Sequence, residues 1–166
     1  MTGNKLVGIR DPWGLRPLCI GKMGNSYILT SESCALNAIG AEFVRDVEPG
    51  EIVIIEEGTL RSIRTDQDKP HSLCIFEHIY FARPDSFIDG ASIYQSRLEA
   101  GKLLAVQHPV EADLVAGVPD SGITAAIGFS RQSGIPYGEV LIKNRYVGRT
   151  FIQPTQRIRE QSVNIK

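Results

Sequence analysis

The features this sequence lacks exclude several classes of protein. No apolar run approaches the roughly 20 residues that a membrane-spanning helix needs, and the opening MTGNKLVGIRD has no apolar core of a secretory leader. A membrane partner is therefore not expected, and the cytoplasm is the expected compartment. Cysteine is scarce: Cys19, Cys34 and Cys74 are odd in number, widely spaced and form no CxxC pair. That excludes a disulfide framework and fits a reducing compartment. An excess of positive charge is also missing, since the net charge is −1. Without it, and without interleaved aromatics, a nucleic-acid partner is excluded. His71, His78 and His108 share no metal-ligand spacing such as HExxH. No GxSxG elbow supports serine hydrolysis, and no Asp-Asp pair occurs anywhere.

What remains is the composition of a globular protein, 42% hydrophobic and 22% charged over 166 residues. That length suits one ordinary domain or two half-domains. The near-zero net charge conceals an asymmetry. Residues 46–60 hold Asp46, Glu48, Glu51, Glu56 and Glu57 and no cation, whereas residues 143–166 hold Lys143, Arg145, Arg149, Arg157, Arg159 and Lys166 against Glu160 alone. The C-terminal end therefore attracts anions.

Two halves follow different periods. Apolar runs at residues 5–9, 15–20, 26–30, 51–55 and 59–64 are separated by turn signals: Asp11-Pro12-Trp13-Gly14, a loop over residues 21–25, Pro49-Gly50 and Glu57-Gly58. This pattern predicts a meander of short antiparallel strands, interrupted by a short helix at residues 34–39 capped by Ser31 or Ser33. Arg10, Asp11 and Arg16 are expected to form a local ion pair ordering the RDPWG turn. Residues 65–71, TDQDKPH, read as a linker. Residues 73–81 are strongly apolar and aromatic, with His78 expected as a packed strand residue. From about residue 91 the period becomes helical, carried by Ile93, Leu98, Leu103, Leu104 and Val106. Residues 113–118 then form a continuous run that predicts a buried parallel strand. A helix over residues 122–133 and a strand over residues 137–142 complete an α/β pattern. The class switch near residues 65–90 predicts two half-domains, antiparallel β followed by α/β with a parallel sheet.

Two segments carry chemistry. Val118-Pro119-Asp120-Ser121-Gly122 joins a strand to a helix, where backbone N–H groups favour phosphate. Ser121 is placed either to cap that helix or to face a metal–phosphate assembly. Twenty residues on, KNRYVGRTFIQP (143–154) sets Lys143, Arg145, Tyr146 and Arg149 around Gly148. Arg forks and Lys point charges bind phosphate, and a glycine hinge permits closure. Either segment alone is compatible with an ordinary loop. Together, leaving one sheet edge at its carboxyl end, they describe a polyanion site.

The ordered blocks RDPWGLRPL (10–18), SESCAL (31–36), FEHIYFARPDSFIDG (76–90), VPDSG (118–122) and KNRYVGRTFIQP resemble the amidophosphoribosyltransferase family, glutamine-dependent enzymes that make phosphoribosylamine from phosphoribosyl pyrophosphate (PRPP) in purine nucleotide biosynthesis. The resemblance implies a partial glutamine amidotransferase domain of the N-terminal-nucleophile type at residues 1–72. It implies a partial type I phosphoribosyltransferase domain at residues 73–166. Pro119, Asp120, Ser121 and Gly122 would belong to the loop that holds the PRPP pyrophosphate, with Ser121 linked to magnesium. Lys143, Arg145, Tyr146 and Arg149 would belong to the mobile loop that closes over PRPP. Tyr94, in SIYQSR, matches a tyrosine that helps to connect the two active sites. Cys74 matches a ligand of a four-iron four-sulfur cluster found in one subgroup. Its alternative is a buried thiol beside Ile75 and Phe76.

PRPP and glutamine are the substrates the resemblance implies, and a homo-oligomer is expected. The family's nucleophilic cysteine is absent, since residue 1 is methionine, and so is the Asp-Asp stretch that binds ribose. The chain is therefore expected to be an internal piece with no turnover, its basic loop and tail mobile. Two other functions stand beside this one: a non-catalytic PRPP- or nucleotide-binding module, and a structural fragment that oligomerises through unpaired strand edges.

Overall fold

The computed structural model describes residues 1–65 and 69–166. The chain divides into two compact units, Met1–Ala100 and Gly101–Lys166. The central part of the linker expected at residues 65–71 lies outside the described residues.

The first unit is built from antiparallel strands: β1 (Lys5–Ile9), β2 (Cys19–Met23), β3 (Ser26–Thr30), β4 (Glu42–Asp46), β5 (Glu51–Glu56) and β6 (Thr59–Arg64). They do not form a simple meander. Among the described residues they pair in two three-stranded sheets, ordered β1-β5-β6 and β3-β2-β4. The turn signals act as expected. Glu57 (φ 49°) and Gly58 (φ 74°) make the two-residue left-handed turn between β5 and β6. The β2–β3 hairpin is tighter than the loop expected at residues 21–25. Met23 pairs with Ser26, so only Gly24 and Asn25 turn.

Side-chain alternation in β2 explains the layering. Cys19 points to one face and packs with Leu36 of helix α1 (Ser33–Ala38) and with Ala41. Ile20 points to the other and packs with Val47 and with Val53 of β5, joining the two sheets. Gly21 lies on the α1 face, where a Cβ would fall 2.3 Å from Leu36 Cδ2. Neither Ser31 nor Ser33 caps α1. Glu32 is the cap residue and gives no side-chain cap bond; the Ser33 hydroxyl instead accepts from the Phe87 N–H at 2.8 Å.

The RDPWG turn is held differently from expectation. Asp11 does not pair with Arg10: its carboxylate accepts from the N–H groups of Trp13 (3.0 Å) and Leu15 (2.9 Å). Arg10, 3% exposed, reaches Asp89 with two bonds of 2.7 and 2.8 Å and also donates to the carbonyls of Val47, Gly14 and Arg16. Arg16 pairs with Glu77. Asp89 itself sits at φ 49° beside Gly90 (φ 77°), in the turn joining β7 (Phe87–Ile88) to β8 (Ala91–Ser92).

The aromatic run at residues 73–81 is not a strand, which corrects the expectation for His78. Glu77–Phe81 forms a π-helical turn closed by the Ala82 N–H on the Glu77 carbonyl. Arg97, also buried, donates to the carbonyls of His78 (2.6 Å) and Ala82 (2.8 Å), groups that a partner strand would otherwise satisfy.

Helix α2 (Ile93–Gln107) contains the boundary between the units. Its buried residues Ile93, Arg97, Gly101 and Ala105 recur every four positions, with Leu98 alongside. Leu103, Leu104 and Val106, expected on the apolar face, are exposed.

In the second unit, α2 meets helix α3 (Gly122–Ser133) at Gly101, where a Cβ would lie 1.9 Å from the Ala125 carbonyl oxygen. Gly134 (φ 78°) ends α3 by donating to the Ser130 carbonyl. The parallel pairing expected between residues 113–118 and 137–142 is present as a single bridge, Val115 to Tyr137, and the run at 113–118 is mostly exposed. Strand geometry needs a continuous ladder, and these two segments share only the bonds around Val115. The basic tail, expected to be mobile, folds into helix α4 (Gln156–Ile165). Thr155 caps it by accepting from the Ile158 N–H.

Candidate functional site

The parallel bridge decides where the two chemistry-bearing segments emerge. Val115 donates to the Pro136 carbonyl and accepts from the Gly138 N–H. Residues 117–122 and 139–145 therefore leave the bridge on the same side. Gly117 lets the first of these lie flat on the start of α3, since a Cβ there would approach Ile123 Cα to 2.7 Å and the Gly122 oxygen to 2.9 Å. The peptide Pro119–Asp120 is cis. The two segments enclose a pocket of about 180 Å³ lined by Gly117, Pro119, Asp120, Ile123, Tyr137, Glu139, Leu141, Ile142, Lys143 and Arg145.

Charge in this pocket is paired across the two segments. Lys143 Nζ donates to Asp120 Oδ2 at 2.6 Å. That hydrogen bond, with the nearby charges of Lys143 and Arg145, holds the Asp120 carboxyl below the ordinary carboxylate range. Arg145 presents a second cation to the same space. Ser121 precedes α3 and makes no side-chain cap bond, so the capping role open in the sequence is not the one adopted. The Gly122 N–H bonds the Val118 carbonyl, and the Ile123 N–H bonds the Asp120 carbonyl.

Past Arg145 the chain turns outward. Tyr146 is fully exposed and Arg149 is exposed, and neither lines the pocket. Asn144 shapes this turn: its side-chain oxygen accepts from the Tyr146 N–H, and its amide donates to the Ile165 carbonyl at the end of α4. Lys166 Nζ donates to the Gly148 carbonyl. Gly148 stands in open space, with no heavy atom within 4 Å of a Cβ built there.

Of the expected site residues, Pro119, Asp120, Lys143 and Arg145 thus converge, with Ser121 and Gly122 directly following in chain. Six lining residues were not singled out as site residues from the sequence: Gly117, Ile123, Tyr137, Glu139, Leu141 and Ile142. The glycine immediately before Val118-Pro119 was the available signal for the first. Glu139 carried none, because its placement depends on the Val115–Tyr137 register.

Tyr94 and Cys74 belong to the first unit. Tyr94 lies in the first turn of α2 and is 36% exposed. Cys74 is half-buried, its N–H donating to the Leu15 carbonyl. Cys74 does not gather with Cys19 and Cys34 into a cluster of ligands among the described residues. Cys19 and Cys34 are buried; burial pushes the Cys19 thiol up to about 12 and raises that of Cys34. Among the described residues no three His, Cys, Asp or Glu converge to hold a metal ion. A magnesium site of the kind expected at Ser121 does not need such a cage, since magnesium is commonly held by one or two protein groups together with phosphates and water. No helix among the described residues is long and apolar enough to cross a membrane.

No family model matches the chain. Its whole length is 55% identical to the amidophosphoribosyltransferase of Archaeoglobus fulgidus, of which it spans 36%, and 52% identical to that of Bacillus subtilis, of which it spans 35%. Among solved structures, the glutamine PRPP amidotransferase of Bacillus subtilis, complexed with ADP and GMP, superposes with a TM-score of 0.86 at 53% identity, over 97% of this chain and 35% of that one. In sequence and in backbone the chain matches amidophosphoribosyltransferases from end to end, over about a third of their length.

Proposed function

We propose that this chain carries the pyrophosphate-holding part of a PRPP site, within an enzyme that forms 5-phosphoribosylamine from PRPP and glutamine in purine nucleotide biosynthesis. The observation that carries this reading is the pocket in which the VPDSG turn and the Lys143–Arg145 segment face each other. Pro119 and Asp120 line the floor, and Ser121 and Gly122 follow them into α3. Lys143 and Arg145 supply a point charge and a planar fork, the two ways in which proteins hold phosphate oxygens. Magnesium, held by the Ser121 hydroxyl and the substrate's own phosphates, would neutralise charge on the departing pyrophosphate. Tyr146 and Arg149, now in solvent, lie on a loop with an unobstructed glycine at 148. Rotation there would bring them over the substrate and exclude water.

In this reading residues 1–72 belong to a glutamine amidotransferase domain and residues 73–166 to a phosphoribosyltransferase domain, with Tyr94 between the two chemistries. The cytoplasm and a homo-oligomer are part of the same proposal. Within these 166 residues no Asp-Asp pair is present to bind the ribose hydroxyls. The 166-residue chain alone is accordingly expected to give no phosphoribosylamine from PRPP and glutamine, and measurable product would overturn that part.

A second reading, a non-catalytic oligophosphate-binding module, is favoured by one fact: the pocket is built wholly from residues 117–145. Calorimetry of the chain with PRPP and magnesium tests both readings. Saturable heat is expected, and its absence at millimolar PRPP would remove the pocket assignment.

A further inference from the structure

We propose that Asp120 is a built-in competitor for the Lys143 ammonium, and so sets how strongly the pocket takes an oligophosphate. This rests on the pocket being a pyrophosphate grip. A lysine ammonium is a compact charge that gives its hydrogen bonds to whichever anion is nearest. Here that anion is the Asp120 carboxylate, 2.6 Å away and delivered by the opposite segment. Asp120 is fixed at the start of α3, with Gly117 packed against that turn and the Asp120 carbonyl accepting from the Ile123 N–H. Lys143 begins the outward-turning loop. The ion pair therefore ties the loop to the floor across the place that a phosphate would occupy, and an incoming phosphate must take Lys143 from Asp120.

The exchange is easy. The side chains are 64% and 39% exposed, and pairs this open are weak because water screens them. A doubly charged phosphate outcompetes a single carboxylate, whereas a singly charged anion gains little. Asp120 thus favours ligands with clustered negative charge. Glu139, on the pocket wall, adds to the same bias against weak anions.

The test is a double-mutant cycle in the whole chain, with magnesium pyrophosphate as the probe. Asp120→Asn is expected to bind about two- to fivefold tighter than the unsubstituted chain, the range an exposed ion pair supports. The gain should vanish in a Lys143→Ala background. A gain that persists there would mean simple removal of negative charge, and would overturn the competition. Equal or weaker binding by Asp120→Asn, with the unsubstituted chain binding normally, would overturn it while leaving the pocket assignment standing. If neither protein binds, both fall. Trypsin cleavage after Lys143, without any ligand, gives an independent reading. It should accelerate in Asp120→Asn as the lysine is released. If Lys143→Ala abolishes binding and so closes off the cycle, an unchanged cleavage rate overturns the proposal.

Discussion

Arg45–Glu51 in the first unit and Lys143–Asp120 in the second are both ion pairs of 2.6 Å, yet they do opposite jobs. Glu51 is 2% exposed and receives both terminal nitrogens of Arg45 together with the Glu48 N–H. Asp120 is largely in solvent and accepts one bond from Lys143. Distance does not separate the two; burial and the number of satisfied lone pairs do. A buried carboxylate with all its partners fixes a fold, because losing any partner strands a charge. An exposed one can change partners, which is what a binding pocket requires. The Arg10–Asp89 pair extends the first kind, tying the turn after β1 to the β7–β8 turn.

The strongest way to break this contrast is Arg10→Ala. It would leave Asp89 without its bidentate partner and the Val47, Gly14 and Arg16 carbonyls without their shared donor. Breaking a buried pair by removing one member costs about 3–5 kcal/mol. Urea unfolding followed by the fluorescence of Trp13, which lies in the same turn, should show that loss. A cost below about 1 kcal/mol would place Arg10 in the same class as Lys143.

Acid should act next most strongly. The hydrogen bond from Arg45 holds the Glu51 carboxyl down to about 2. A carboxyl depressed on folding stabilises above its unfolded value and loses that contribution as pH falls through the folded value. The window is therefore between about pH 4.5 and 2, and the loss is roughly 2–3 kcal/mol. Asp46 works the other way: burial and the Asp89 charge raise its carboxyl, so its protonation recovers some stability as pH falls. Glu51→Gln should flatten the acid limb of a stability–pH curve. An unchanged limb would show that Glu51 is not the group that titrates.

A neutral substitution separates packing from charge. Gly101→Ala would place a methyl group 1.9 Å from the Ala125 carbonyl oxygen, a backbone atom that cannot swing aside. Overpacking of this kind costs about 1–3 kcal/mol. The effect should show as a lower thermal midpoint by circular dichroism, with no salt dependence. A shift that grew in salt would point instead to the charges nearby.

These particulars also show what the sequence made legible. Strands β1, β3, β5 and β6 were readable because their turn residues and apolar runs lie within a few positions of one another. β4, EFVRD, was missed: it becomes a strand by pairing with β2, about twenty residues earlier, and its own apolar run is only Phe43-Val44 between charged residues. The run at residues 73–81 misled because aromatic, β-branched residues favour strands, whereas a buried arginine nearly twenty residues later takes its carbonyls. At the candidate site, Lys143 and Arg145 were legible from phosphate chemistry, and Asp120 as a member of the VPDSG block. Glu139 and Tyr137 were not, since the register of one parallel bridge puts them on the wall. Tyr146 was legible as a residue but not as a position, because Asn144 directs the loop outward by a bond to α4.

The smallest expected effect is the most telling one for the contrast. Lys143→Ala removes a 2.6 Å ion pair, as Glu51→Gln does, but from solvent rather than from a core. Exposed pairs contribute about 0.2–1 kcal/mol, so the thermal midpoint should barely move, and 0.5 M salt should erase the remaining difference by screening. A loss of several kcal/mol would mean that the 117–145 pocket depends on this bond for its shape. Lys143 would then be a strut of the second unit, as Arg45 is of the first, and unavailable to any phosphate.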